Sequence, residues 1–333
     1  MQNQKTLGFL IMRAQPLHSG HMELINNSIK NCDTLVIVIG SANSARTIKN
    51  PFTYQERKSQ ITQYLNLRGY ENKTIIKPVN DYRYNDLAWV ADVASMIDSI
   101  KSDKFDKVVM FGHDKPGNNY LKMFPQYEYM NFDAKFKGNA TEIRKMWMEK
   151  ESYRFDKSVM DDYRYFENEK KLFSNYPFKE TLNFSCSDTI LECNGHVLLI
   201  ERSRAPGAGT WALPGGFKNN NETFLQCAIR ELIEETNVRV PEKVLIGSIV
   251  SSRLFDDPAR GMGIPRNTMC YHIKIQPNNN GTLPEIRPDD DALNANWFPI
   301  SVIMNEMVLF DDHKDIIGIM TGVVESPADT KTE

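Results

Sequence analysis

GFKNNNETFLQCAIRELIEETNV, residues 216–238, carries two superposed periodicities. Leu225, Ala228, Ile229 and Leu232 fall at i, i+3, i+4 and i+7, the spacing of one buried stripe, and predict a helix over 223–235. Glu231, Glu234 and Glu235 repeat the i, i+3, i+4 spacing, so they share an arc of about 100° at roughly 100° per residue. Like charges so placed cost helix stability unless a positive group sits among them. Arg230 is the candidate for that group and for orienting Glu222. Hard oxygen ligands on a rigid element suit Mg²⁺ or Mn²⁺, which in turn bind substrate phosphates. Three glutamates alone would be read as a solvated acidic face. Gly215-Gly216, a tight loop into the helix, argues for the metal reading.

Working outward, the chain of 333 residues is long for one core, so two domains are expected. Hydrophobic residues make up 41% and charged residues 25%, the balance of an ordinary globular protein. A net charge of −3 gives no general drive toward nucleic acid or an anionic membrane. The apolar runs Leu7–Met12 and Leu35–Ile39 are too short to span a bilayer, and the N-terminal stretch lacks the apolar core of a signal peptide. Five scattered cysteines without C-x-x-C spacing fit neither structural zinc nor a disulfide framework, and point to the cytoplasm. The oligomeric state stays open, homo-oligomers included.

Thr6–Met12 and Thr34–Ile39 read as buried strands around a helix near Met22–Lys30, which argues for a βαβ unit and a parallel sheet. Ligands of such sheets bind at the carboxyl ends of the strands. His18 and His21 stand there, three residues apart at the opening of the helix. No third ligand is evident nearby, so they read as phosphate donors aided by the helix N-terminus rather than as a metal pair. A third apolar strand is expected at Lys107–Phe111.

In this context MRAQPLHSGH resembles the nucleotidyltransferase motif of archaeal-type nicotinamide-mononucleotide adenylyltransferases. Gly40-Ser41-Ala42, Arg46, Asn50-Pro51-Phe52-Thr53 with Glu56-Arg57, Gly112-His-Asp114 and Thr141-Glu-Ile-Arg144 follow in the family's order. Asn139 stands where the family commonly has Ser, and Ala14 leaves one common contact unassigned. The resemblance implies a Rossmann-like parallel-sheet domain that transfers AMP from ATP to nicotinamide mononucleotide, giving NAD and pyrophosphate. Arg13, Gln15, His18, Gly20, His21, Arg46, Gly112, Asp114, Thr141 and Arg144 would then bind ATP and its phosphates, with His18, His21 and Arg144 closest to the chemistry. Asp81, Asn85 and Trp89 would hold the nicotinamide nucleotide, the indole being a natural platform for a flat ring. No protein nucleophile is needed; positioning and charge neutralisation do the work.

Residues 147–182 change character, rich in charge and aromatics. An amphipathic helix over Val159–Phe173 is expected to close the first domain, and Asn175-Tyr-Pro177 to begin the linker, giving domains 1–175 and 181–333. Tyr163, Phe166 and Phe173 read as packing residues. Beyond the linker, Asn194-Gly195 marks a hairpin, and Val244–Ser251, Thr268–Gln276 and Ala295–Pro299 read as further strands.

The stretch 216–238 resembles the Nudix box, with Asn237 where the family usually has Gly. Asn tolerates a left-handed helix end nearly as well. The resemblance implies a Nudix α/β/α sandwich in which Glu231, Glu234 and Glu235 hold Mg²⁺ or Mn²⁺. A glutamate, here or in a later loop, would act as base for water attack on a diphosphate. Ser251–Arg260 and Leu309–His313 resemble ADP-ribose pyrophosphatases, which implies ADP-ribose as substrate, AMP and ribose 5-phosphate as products, Phe255 stacking on the base, and Arg253 or Arg260 on phosphate. Two alternatives stay open: a Nudix domain that senses a nucleotide without cutting it, and a first domain that prefers nicotinic acid mononucleotide. A Nudix-based transcriptional regulator would need a basic helix-turn-helix, which the sequence lacks.

Overall fold

The computed structural model describes residues 4–113, 122–133, 139–150, 154–177, 182–289 and 292–324. The chain divides into two compact units, Met1–Asp156 and Lys157–Glu333.

In the first unit the order is β1 (Thr6–Met12), α1 (Ser19–Ile29), β2 (Thr34–Ile39), α2 (Tyr54–Arg68), β3 (Thr74–Pro78), α3 (Asp86–Lys101), β4 (Lys107–Gly112), β5 (Glu128–Asn131) and α4 (Ala140–Glu149). The strands form one sheet in the order β3-β2-β1-β4-β5, and every pair is parallel. Such strands are covered on both faces and read as continuous apolar runs. Alternate residues split accordingly. Leu10, Leu35, Ile37 and Phe111 pack with Leu24, Ile25, Ile61 and Leu65 of α1 and α2. Leu7, Phe9, Val36, Val38 and Met110 pack with Val93 and Ile97 of α3. Chain direction across the sheet reverses between β1 and β4, which opens a crevice at their carboxyl ends.

The second unit begins with α5 (Lys157–Leu172), followed by β6 (Phe184–Cys193), β7 (His196–Arg202), β8 (Trp211–Ala212), β9 (Gly215–Phe217), α6 (Phe224–Thr236), α7 (Glu242–Gly247), β10 (Ile249–Phe255), β11 (Arg266–Ile275), β12 (Ala292–Pro299), α8 (Ile300–Asn305) and α9 (His313–Met320). Its seven strands form a mixed sheet in the order β10-β11-β6-β7-β12, with β8 paired to β7 and β9 to β6. Leu191, Ile200 and Ile273 meet Ile229 and Leu232 of α6 on one face. On the alternate positions Asp188, Ile190, Glu192, Cys270 and His272 are also buried. α8 packs on β12 and α9 on α8.

Two expectations are corrected. Val244–Ser251 is not a strand throughout: α7 occupies Glu242–Gly247, with Pro241 at its N-cap, and β10 starts only at Ile249. The apolar spacing of that segment fits a helical turn as well as a strand, and the proline before it favours the helix start. The helix expected to close the first domain instead groups with the second unit. Asp162 of α5 accepts from Gly207 N at 2.9 Å, Glu169 accepts from Ile264 N at 2.8 Å, and Arg266 pairs with Glu169. These bonds are made with residues distant in sequence, which periodicity within the helix does not reveal.

α6 is delimited by side-chain chemistry. Thr223 and Gln226 form a reciprocal capping box, and Asn237 ends the helix at φ 43° while its Nδ2 donates to Asp289 Oδ2 at 3.0 Å. An L-residue with a Cβ pays about 1–2 kcal/mol in that left-handed region. Asn237→Ala is therefore expected to destabilise the second unit by about 1–2 kcal/mol in chemical denaturation, and Asn237→Gly by clearly less. Equal losses for the two variants would show that the bond to Asp289, not the backbone, sets the cost.

Candidate functional sites

The first candidate site lies where β1 hands over to α1. His18 is the extended N-cap of α1, and its Nδ1 accepts from Gly20 N at 3.1 Å. The His18 and His21 rings lie 3.8 Å apart, tilted by 33°, so two imidazoles form one surface at the helix N-terminus. From the other end of the unit, Arg144 of α4 donates to Gln15 O at 2.6 Å and to Thr141 Oγ1 at 3.1 Å. Asn139 caps α4 through Glu142 N, so a second helix N-terminus belongs to the same region. Burial first, and the Arg13 charge second, depress the Arg144 pKa. Two guanidiniums that repel each other across a partly desolvated site are stabilised by an anion between them.

Arg57 was placed by resemblance but given no role, and it is the frame of this region. It is 1% exposed and donates to Arg13 O and Gly40 O, each at 2.7 Å, and to Ser41 O at 2.9 Å. It thereby ties the carboxyl ends of β1 and β2 to α2. Burial lowers its pKa to about 10, so it stays charged at neutral pH. Gln15 is buried as well, and its amide exchanges two bonds with the Phe52 backbone, at 2.8 and 3.0 Å. Arg46 forms a two-bond fork with Glu56. Asp81 accepts from Ser44, Asn85 caps α3 through Ala88 N, and Trp89 packs edge-on to Phe124 at 5.7 Å. Gly20 lies in the first turn of α1 and Gly112 ends β4. Asp114 lies outside the described residues.

The second candidate site surrounds Gly215-Gly216 and α6. Arg230 is the hub. It donates to both Glu222 oxygens at 2.7 and 2.9 Å, to Glu231 at 2.7 Å, to Glu234 at 2.9 Å and to Phe217 O at 3.2 Å. The Glu222 pKa falls well below the usual carboxylate range because of the Arg230 bonds. Glu235 turns inward, accepts from Gly215 N at 2.9 Å, and burial raises its pKa to about 8. A Cβ on Gly216 would sit 2.5 Å from Glu231 Oε1, and one on Gly215 would sit 2.2 Å from Asp188 Oδ1. Only glycines let three carboxylates close in on this backbone.

Among the described residues no trio of His, Cys, Asp or Glu side chains is set to hold an ion as it stands. The donors themselves still fit a divalent cation. All are hard oxygens, they crowd a glycine cradle, and Glu231 and Glu234 are held by a single guanidinium that a cation can replace.

Two of the residues tied to the diphosphate substrate are placed otherwise than expected. Phe255 is 1% exposed and belongs to the core, so it offers no face to a base. Arg260 is 6% exposed and spends its charge on Asp312, at 2.9 Å, and Asp188, at 3.5 Å. Arg253 lies over the Phe255 ring at 5.3 Å. Alternation along a strand fixes which face a residue takes only once the register is known, and the β10–β11 pairing supplies that register.

Residues 13–146 match the cytidylyltransferase-like family and 187–317 the NUDIX domain. A nicotinamide-nucleotide adenylyltransferase of Thermococcus onnurineus is 31% identical over 146 residues, covering 44% of this chain and 74% of that protein. The chain belongs to the nicotinamide-nucleotide adenylyltransferase family. A further relative, the nicotinamide/nicotinic acid mononucleotide adenylyltransferase of Acinetobacter baylyi, is 32% identical over 42% of this chain and 73% of that protein. The match to the Methanococcus maripaludis adenylyltransferase is 41% identical and spans 26% of this chain and half of that relative's length. Among solved structures, a bifunctional NMN adenylyltransferase/ADP ribose pyrophosphatase of Francisella tularensis, complexed with AMP and a manganese ion, superposes with a TM-score of 0.84. It is 27% identical and covers 96% of this chain and 99% of that one.

This adenylyltransferase-family chain thus carries a NUDIX unit whose loop is braced by residues that sequence reasoning left without a role. His313 Nδ1 accepts from Leu213 N at 2.8 Å, two residues before the glycine pair, and Asp312 beside it binds Arg260. Only the resemblance of 309–313 hinted at it. Burial holds the His313 pKa below its usual 6.5. The unfolded chain therefore takes up a proton that the folded one refuses, so this contribution to stability is present above about pH 6.5 and is lost as pH falls below it. Thermal unfolding between about pH 7.5 and 5.5 is expected to show a smaller drop in Tm for His313→Asn, which keeps an acceptor for Leu213, than for the parent chain. Parallel pH profiles for the two proteins would disprove this source of acid sensitivity.

Proposed function

We propose that the chain is a bifunctional enzyme of NAD metabolism. Its first unit transfers AMP from ATP to nicotinamide mononucleotide, and its second hydrolyses ADP-ribose to AMP and ribose 5-phosphate. The observation that carries the first activity is the convergence of Arg13, Arg144, His18 and His21 on two helix N-termini at the carboxyl end of a parallel sheet. In this reading the mononucleotide 5′-phosphate attacks the α-phosphorus of ATP and pyrophosphate departs. Arg13 and Arg144 grip the polyphosphate, and the imidazoles donate to its oxygens. Arg57 and Gln15 act through the loops they hold. Asp81, Asn85 and Trp89 line the place proposed for the nicotinamide nucleotide.

The second activity rests on Glu231, Glu234 and Glu235 around Gly215-Gly216 and on the 27% identical structure that spans nearly the whole chain. A divalent cation, Mg²⁺ in our reading, supplies charge neutralisation on the diphosphate when bound. The glutamates hold it, Arg230 hands over part of its carboxylate partnership, and one glutamate takes the proton from the attacking water. The Acinetobacter baylyi relative's name covers both the amide and the acid mononucleotide. That supports a second reading in which the first unit also accepts nicotinic acid mononucleotide.

Loss of a single positioned donor to a reacting phosphate commonly costs about 10²–10³ in rate. His18→Ala is expected to lower NAD formation from ATP and nicotinamide mononucleotide by about that factor, with AMP release from ADP-ribose retained. Glu234→Gln is expected to do the reverse. AMP that fails to accumulate above the Glu234→Gln level with the parent protein and Mg²⁺ would remove the hydrolase assignment and favour the sensor.

A further inference from the structure

Three segments meet at the crevice of the first unit: the turn after β1 that holds Gln15, the loop 50–53 before α2, and α4, which carries Arg144. Polar bonds make two of the three joints. The Gln15 amide exchanges bonds with the Phe52 backbone at 2.8 and 3.0 Å, and Arg144 donates to Gln15 O at 2.6 Å. The third joint, between α4 and the loop, is aromatic. The Phe52 ring lies 5.6 Å from that of Phe155, tilted by 41°, and the Phe155 ring lies 5.9 Å from that of Trp147, tilted by 53°. These are the spacings of interacting rings. Trp147 follows Arg144 by three residues on α4, so the two are neighbours on the helix surface. The contacts close a circuit that runs from Arg144 through Gln15, Phe52, Phe155 and Trp147 back to Arg144.

The two ends of the aromatic joint are held to different degrees. On the loop side Arg46 donates to Pro51 O at 2.8 Å and forks Glu56, and Thr53 opens α2 with a capping box, so Phe52 stands between two fixed neighbours. On the other side α4 has little cover: of its ten residues Met148 alone is buried. The bond from Arg144 to Gln15 O fixes one point of that helix, and a helix fixed at one point can pivot about it. Trp147 supplies a second point one turn further on. Phe155, past the end of α4, is buried against it, and the neighbouring Arg154 sets its guanidinium 4.9 Å above the indole. Among the described residues, the cores on the two faces of the sheet are built without Phe52, Trp147 and Phe155. What these rings hold is α4 to the loop, not the sheet to its helices.

We propose that Phe155 is a positioning residue for adenylyl transfer. Its ring sets the separation of α4 from the loop 50–53, removes the pivot at Gln15, and so fixes the Arg144 guanidinium at the phosphates of ATP. The proposal rests on the adenylyltransferase reading of the first unit and adds the device that aims one of its arginines.

The test follows NAD formation by the full chain from ATP and nicotinamide mononucleotide. A gripping group misplaced by about 1 Å costs about 10² in rate. Phe155→Ala is expected to lower kcat by about 10–10²-fold, with KM for nicotinamide mononucleotide nearly unchanged. Phe155→Leu, which refills most of the space, is expected to recover most of the lost kcat. The deciding measurement is a double-mutant cycle. In an Arg144→Ala background Phe155→Ala is expected to cost nothing further, because residues that act as a unit are not additive. Losses that multiply in the double variant would make Phe155 a structural residue and overturn the proposal. So would a Phe155→Ala protein with the kcat of the parent. Trp147→Leu, at the α4 end of the same joint, is expected to behave like Phe155→Ala in both backgrounds, and it decides the question where Phe155→Ala does not fold. Parent protein that forms no NAD would instead sink the adenylyltransferase reading beneath the proposal.

Discussion

Like charges held close together are the constraint on which the second unit is built. Asp188, Glu231 and Glu235 close in on two consecutive glycines, and Glu222 and Glu234 lie one guanidinium away. Such a cluster repels itself, and burial makes the repulsion worse. The carboxylates are therefore met by three devices. Arg230 gathers Glu222, Glu231 and Glu234 at the surface end. Arg260 serves Asp188 and Asp312 in the interior. Glu235 accepts from the Gly215 backbone N–H, and burial raises its pKa. The sheet, the loop from Leu213 to Phe217 and the helix α6 are held at the spacing that this arrangement needs.

The first unit shows the opposite sign. Arg13, Arg57 and Arg144 converge on the ends of β1 and β2, and burial or mutual repulsion depresses the pKa of both Arg57 and Arg144. Backbone carbonyls take the donors of Arg57. Carbonyls satisfy the donors without cancelling the charge. The two units thus concentrate charge of opposite sign, one quieting it with backbone carbonyls and the other with guanidiniums.

What the sequence made legible follows from what is local. The apolar runs of β1, β2 and β4, the Asn194-Gly195 turn with both residues at positive φ, and the capping box of α6 are each decided within a few residues. So is the Arg230–Glu222 pair, since the N-cap and about two helical turns separate them. Phe255 and Arg260 were misplaced for the reverse reason. Whether a ring on β10 faces solvent depends on pairing with β11, and whether an arginine is free depends on Asp312, which lies 52 residues away. α5 was attached to the wrong unit because its amphipathic pattern shows only that it packs, not on what. Asp162 and Glu169, which decide the matter, look in sequence like ordinary solvated acids.

The buried acids of α5 also explain why that helix is an integral part of the second unit rather than a linker. Glu169 is 7% exposed, and a carboxylate so placed persists only when its lone pairs are taken. Arg266 and Ile264 N take them, and Arg266 is in turn sandwiched by Phe166, Phe184 and Phe217. Removing α5 would strand a half-buried arginine, unpair β11 from its brace and strip the aromatic wall from the loop that follows Gly216. A boundary drawn at residue 181 would therefore sever a polar network as well as a hydrophobic contact. The helix that composition marks as a connector is physically the first element of the hydrolytic unit.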